Sequence, residues 1–416
     1  MTPEDLQREL QRRAPGAWEL YQKTAESREI DASSALRRRS WRREEGWAAR
    51  WSEGGSLRFA AACHPGDLFR ALPEALRIPA ATEEPPDWPR ARAEAPPPLP
   101  LEEPSDLFDA LAPTLASTSR AEAELCALSL RHGRVEERIW NGAGLDVAQS
   151  QHFRDGVAVA MARRGARGHE SRIPFRWHGA AEIDALARRL SDATTLPLSD
   201  RPAPFASGQW LLDPGVSAAL LAALAPIFSN RRPPRWLSRG PFTSPAITIA
   251  DDASPDAPFD GEGVATRRIV LVQDGALAER LEDLRSAKRS GLRATGHGVR
   301  SSFRASPRVR PRRLFLESRQ PIPPAEMLAA VKRGLFAAAL TAPVRVDLES
   351  DRFEIEFTGV SVAAGRAQAP VGGARAAGRL SELLRRVTAV SDDRHFFPLP
   401  FLSGSPTLLV ERASFD

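Results

Sequence analysis

The sequence predicts an α+β fold: an N-terminal α/β domain with an antiparallel sheet, then a C-terminal, mostly antiparallel β domain with a few helices. Three observations carry this. Short alternating apolar and polar runs, closed by glycine-containing turns, outnumber the helical runs. The helices are set apart from the strands instead of alternating with them, which argues against a doubly wound sheet. A chain of 416 residues is long enough for two domains, and a proline-rich stretch divides it near residue 205. The domains expected are 1–204, containing a Pro-rich loop at 79–104, and 205–416.

In chain order, residues 1–30 read as a helix, because Leu6, Leu10, Ala14, Trp18 and Tyr21 recur at near-helical spacing. Residues 46–62 read as a hairpin turning at Glu53-Gly54-Gly55. Nine prolines between Pro79 and Pro104 mark an extended connection. Residues 106–118 resume a helical pattern. Residues 123–165 read as three strands, joined at His132-Gly133 and at Asn141-Gly142-Ala143-Gly144. Residues 179–191 form an amphipathic helix with Ile183, Leu186 and Leu190 on one face.

The second half begins with a helix over 214–228, started by Asp213 as N-cap and Pro214 at the first helical position. Strands follow at 246–252, around 269–277, at 311–318, across 344–365 and at 405–412. Helices are expected at 325–336 and 378–390.

Composition narrows the function classes. With 42% hydrophobic and 27% charged residues the chain can bury a core, and no run approaches the ~18 apolar residues of a spanning helix. The charged N-terminus and only two cysteines, Cys63 and Cys126, fit a cytoplasmic protein with no membrane partner. The net charge of +5 rests almost wholly on arginine, since Lys23, Lys288 and Lys332 are the only lysines. Most arginines alternate with acidic residues. The basic runs at 35–43 and 304–313 lack aromatic stacking or helix-turn-helix spacing, so nucleic acid is not the expected partner.

Catalytic motifs are sparse. There is no GxSxG elbow, no phosphate-binding glycine loop and no CxxC. Cys63 and His64 are sequence neighbours and would point to opposite faces of a strand. His169-Glu170 and His178 are nine residues apart with Pro174 between, so no helix places them on one ion. No catalytic and no metal-ligating residue is expected in this chain.

The most specific stretch is residues 247–300: a strand into Asp251-Asp252, the turn Phe259-Asp260-Gly261-Glu262-Gly263, then Thr266, a tight turn at Asp274-Gly275 and a loop through Thr295, Gly296 and Arg300. With the hairpin at 44–62, the Asn141–Gly144 turn and the terminal run Gly404–Val410, this pattern resembles the TldD/TldE (PmbA, modulator of DNA gyrase) protease family over nearly the whole chain. The resemblance implies a heterodimeric peptidase acting on unfolded peptides. Its zinc would sit only in the TldD-type subunit, on an HExxxH helix before the Asp-Asp strand and a cysteine near the C-terminus. The corresponding helix here has no His, Glu or Cys, and both cysteines precede residue 127. The resemblance therefore implies a TldE-type subunit with no cofactor of its own, zinc in a TldD-type paralogue as partner, and a role in substrate binding and chamber closure. The motif residues would serve structure and interface. The alternatives are a stand-alone homodimeric binding protein and a DNA gyrase modulator; a neighbouring HExxxH paralogue separates the first, and salt-dependent DNA binding the second.

Overall fold

The computed structural model describes residues 2–78, 86–94, 107–119, 122–202, 207–229, 233–252 and 257–414. The fold is α+β, as the sequence predicts. Most of the 79–104 loop lies outside the described residues, as do 203–206 of the expected divide.

One seven-stranded sheet takes the strands before residue 200, in the order Ser56–Ala62, Arg37–Glu53, Trp18–Ser33, Glu122–Asn141, Asp146–Arg164, Arg92–Glu94, with Arg167–Arg176 also on Asp146–Arg164. Every pairing is antiparallel except that of Arg92–Glu94. Helices Pro3–Arg13 and Pro65–Ala75 cover one end, sealing Leu6, Leu10, Leu68 and Leu72 against Trp47 and Trp51. Helices Leu107–Thr118 and Ile183–Thr195 cover the other end through Leu111, Leu115, Leu186 and Leu190.

Two sequence readings fail here. The helix expected over 1–30 stops at Arg13, and Trp18–Ser33 is a strand. Charged residues on both faces of a half-exposed strand hide its period of two, and Glu19 is buried inside an ion pair where the pattern calls for an apolar residue. His132-Gly133 is not a turn but the middle of the strand Glu122–Asn141. A Cβ at Gly133 would sit 2.1 Å from the Glu26 carbonyl oxygen, so the glycine permits close approach between strands.

The rest of the chain forms two larger sheets and a two-stranded ribbon. One sheet runs Ala276–Leu277, Ile269–Gln273, Thr248–Asp251, Arg313–Glu317, Leu402–Ser405, His395–Pro398. The other runs Arg345–Asp347, Arg352–Ala363, Arg333–Leu340, Ser207–Leu212, Leu408–Ser414, Val387–Val390, with Arg366–Arg379 also on Arg352–Ala363. Both are mixed: Arg313–Glu317 runs parallel to Leu402–Ser405, and Arg333–Leu340 parallel to Ser207–Leu212. One core joins them, including Trp210, Ile249, Leu271, Leu314, Leu335 and Phe357.

Two helices are shorter than expected. Pro324–Ala330 gives way to the strand from Arg333, and Leu380–Arg385 to the strand from Val387. Both strands are apolar runs in which pairing on the sheet, not local periodicity, decides the conformation. No described helix is long and apolar enough to cross a membrane.

Candidate functional site

The turn Phe259–Gly263 is wedged against the N-terminal sheet. Phe259 packs with Tyr21, Ile139, Leu145, Val147 and Phe303, so one apolar cluster takes residues from both sides of the chain. The Phe259 N–H donates to Gln149 Oε1 at 3.1 Å, and its carbonyl accepts from the Arg312 guanidinium at 2.8 Å.

Asp260 organises the turn. One oxygen accepts from the N–H groups of Glu262 (2.9 Å) and Val264 (3.0 Å), the other from Gly298 N–H at 2.8 Å. Gly263 closes the turn at φ +75°, a conformation L side chains rarely adopt, and a Cβ there would meet Leu145 at 2.3 Å. Gly261 donates to the Gly298 carbonyl at 2.8 Å, stitching the turn to the loop at 295–300.

Glu262 faces the other way, into a buried ionic network. Arg50 donates to Glu262 at 2.9 Å and to both oxygens of Glu19 at 3.1 and 2.6 Å. Glu19 and Arg50 are direct cross-strand partners in the N-terminal sheet. Arg300 donates to Glu19 as well, and to the Gly261 carbonyl at 2.7 Å, with its guanidinium 4.4 Å from the centre of the Tyr21 ring. The second Glu262 oxygen accepts from Leu284 N–H at 2.8 Å. Glu19, Arg50 and Glu262 are each at most 5% exposed at the side chain.

The electrostatics follow from burial set against pairing. Burial alone would raise Glu19, but Arg50 and Arg300 together hold it below its ordinary value. Burial and then Glu262 push the Asp260 carboxyl up to about 7, against the pull of its three backbone donors. Glu262 is also raised, by burial first, with Arg50 opposing. Both carboxyls of the turn thus hold a proton more tightly than free ones, whereas Glu19 holds its proton less tightly.

The remaining motif residues serve the same framework. Asp251 is fully buried and accepts from Arg312 N–H and from His297 Nε2 at 2.9 Å, while His297 Nδ1 lies 3.0 Å from the Thr295 carbonyl. Asp252 is partly buried, and its N–H donates to the Arg313 carbonyl at 3.2 Å. Thr295 exchanges hydrogen bonds with Glu282, and Thr266 Oγ1 donates to the Ala257 carbonyl. A Cβ on Gly296 would sit 2.8 Å from Thr266 Cα. Asp274 and Gly275 stay apart from this cluster, forming the two-residue turn between Ile269–Gln273 and Ala276–Leu277 with φ of 51° and 83°.

Arg267 and Arg268 are the arginines nearest to this turn in sequence, yet neither is its cationic partner. Those two bind Glu279 and Glu317 instead. The cationic partner of Glu262 is Arg50, and its signal is an arginine set among apolar residues in Trp47-Ala48-Ala49-Arg50-Trp51. Glu19 carried no such signal.

The helix Pro214–Leu224 is capped by Asp213, whose carboxylate accepts from Gly215 N–H at 2.7 Å. Val216, Leu220, Leu221 and Leu224 go into the core, so its apolar stripe is a core face. Zinc, which the family resemblance implies for a TldD-type subunit, does not fit here, because this helix offers no imidazole, thiolate or carboxylate along its length. Among the described residues no group of three His, Cys, Asp or Glu could hold a metal ion. His169 and Glu170 lie on the strand Arg167–Arg176, and Cys63 is exposed beside Arg304.

Comparison with known proteins agrees with this architecture. The sequence pattern of the PmbA/TldA metallopeptidase C-terminal domain matches residues 209–416, half of the chain. A metalloprotease TldD homolog from Haemophilus influenzae is 29% identical over 156 residues, 36% of this chain and 32% of that protein. An uncharacterized protein of Methanocaldococcus jannaschii is 28% identical over 192 residues, 43% of this chain and 45% of that one. The chain thus matches less than half the length of these curated relatives. TldE from Thermococcus kodakarensis shares the fold with a TM-score of 0.81 at 18% identity, covering 99% of both chains. A Thermotoga maritima protein described as a modulator of a DNA gyrase does so at 0.80 and 18% identity, covering all of both. With a matching C-terminal pattern and a shared fold along its length, the chain belongs to the TldD/TldE family of metallopeptidase-type proteins.

Proposed function

We propose that this chain is the zinc-free, TldE-type subunit of a two-subunit cytoplasmic peptidase acting on unfolded peptides. It would bind substrate and close the chamber, while a TldD-type paralogue supplies zinc and the hydrolytic step. The observation that carries the reading is the helix Pro214–Leu224, whose inward face is spent on Val216, Leu220, Leu221 and Leu224 rather than on ligands. A zinc-bound water needs side-chain ligands that hold the ion, and this helix has none to give. The network around Asp260 and Glu262 supports a structural role for the motif turn, because both side chains are buried and engaged with backbone N–H groups and Arg50.

The test is co-expression with a zinc-bearing paralogue, followed by metal analysis and peptide turnover of each chain alone and of the pair. The reading expects no stoichiometric zinc in this chain, co-purification of the two, and turnover by the pair that exceeds either alone. About one zinc per isolated chain, or a chain that stays monomeric with its paralogue at micromolar concentration, would contradict it.

A further inference from the structure

Two cavities meet at one arginine. The larger, about 560 Å³, lies between the strand Arg167–Arg176, the start of the helix Pro214–Leu224 and the segment 338–343. The smaller is about 380 Å³, and both are lined by Arg189 and Asp213. Arg189 projects from the helix Ile183–Thr195. Its Nε is enclosed and has no hydrogen-bond partner, while Asp213 and Glu182 attract its charge without hydrogen-bonding to it. Its guanidinium stands 5.1 Å from the centre of the Phe397 ring.

A guanidinium whose Nε is enclosed without an acceptor bears a desolvation cost that a carboxylate ligand would offset through charge-assisted bonds. Asp213 attracts the cation but makes no hydrogen bond to it. It is committed to Gly215 N–H, and burial pushes its carboxyl up to about 7. Around this point the larger cavity is mainly apolar, with Val216, Ala219 and Leu399 in its wall.

The second observation is the strand. His169 through Pro174 line the larger cavity without a gap. Successive side chains of a strand point to opposite faces, so an unbroken run means that the cavity touches the strand's edge. That edge has no partner strand, since Arg167–Arg176 pairs only with the far half of Asp146–Arg164 among the described residues. An unpaired edge beside an apolar wall accepts an extended chain by strand addition.

We propose that this groove binds the C-terminal end of an extended apolar peptide, with the terminal carboxylate on Arg189 and the backbone along the edge of Arg167–Arg176. The inference rests on the peptide-binding reading above for the class of ligand and adds a place and an orientation to it.

The test is fluorescence anisotropy on the full chain alone, using an N-terminally labelled apolar pentapeptide as free acid and as C-terminal amide. The acid should bind at least ~10-fold tighter than the amide, the scale of one charge-assisted anchor. Arg189→Gln should abolish that preference, and Ala219→Trp, which fills the cavity, should weaken both peptides. Equal binding of acid and amide by the unaltered chain would overturn the proposal, as would no binding, and neither result depends on a variant folding. The two readings fail separately. A pair that turns over peptide while acid and amide bind alike removes this site and leaves the subunit assignment. Acid-selective binding by a chain that forms no productive pair does the reverse.

Discussion

The motif turn at 259–263 and the groove at Arg189 both place charge inside the protein, but they solve its cost in opposite ways. At the turn, Asp260 holds three backbone N–H groups, and Arg50 and Arg300 between them hold Glu19, Glu262 and the Gly261 carbonyl. At the groove, an enclosed guanidinium nitrogen has no acceptor and faces two cavities. A fully satisfied network fastens parts of a fold together, whereas an unsatisfied group beside open volume is set up for a ligand. The most recognisable motif is therefore not where a ligand is best accommodated.

The strongest way to break this contrast is at its central cation. Arg50→Met leaves Glu19 and Glu262 buried with one cation between them, so it should lower stability by about 3–5 kcal/mol. Urea denaturation followed by tryptophan fluorescence measures this, and a loss under about 1 kcal/mol would mean that the network is not the fastener. Arg189→Met at the groove should change stability far less, because it removes a charge that no hydrogen bond or close salt bridge holds.

Leu221→Ala separates a core helix from a ligand helix. Leu221 is 3% exposed in the main core, so the substitution should cost about 2–4 kcal/mol, read in the same denaturation experiment.

A pH series sharpens the groove side. The Asp213 carboxyl is raised to about 7 from an ordinary value near 4, so the folded state holds its proton more tightly than the unfolded chain does. Its contribution is then fully present below pH ~4 and lost as pH rises through ~7. Asp213→Asn keeps an N-cap acceptor for Gly215 and cannot ionise. Measured by thermal denaturation, the variant should gain on the wild-type protein by roughly 1–2 kcal/mol between pH 5 and 8. A constant difference across that range would show that Asp213 ionises freely.

The sequence disclosed one side of this contrast better than the other. The glycine spacing of Gly261 and Gly263 announces a tight turn, and both carboxylates accept backbone N–H groups there. Their cation could not be assigned from local spacing, because Arg50 lies 212 residues from Glu262 and meets it only when the two sheets pack. The strand Trp18–Ser33 was misread as helix because Glu19, its buried ionic member, occupies an apolar position in the pattern. Arg189 gave no sign at all. On a helix it reads as one more solvated arginine, and only the packing of Phe397 and the helix Pro214–Leu224 beside it encloses its Nε.

The central claim, that the motif turn is a fastener and the chemistry belongs to the partner subunit, is tested most directly by Asp260→Asn in the reconstituted pair. An amide in place of the carboxylate sets one N–H donor against Gly298 N–H, so stability should fall by roughly 1–2 kcal/mol. Peptide turnover by the assembled pair should stay within a few-fold of the wild-type value. A pair that assembles with normal stability but loses turnover by a factor of about a thousand, some 4 kcal/mol of transition-state stabilisation, would place the turn in the active site and contradict the account.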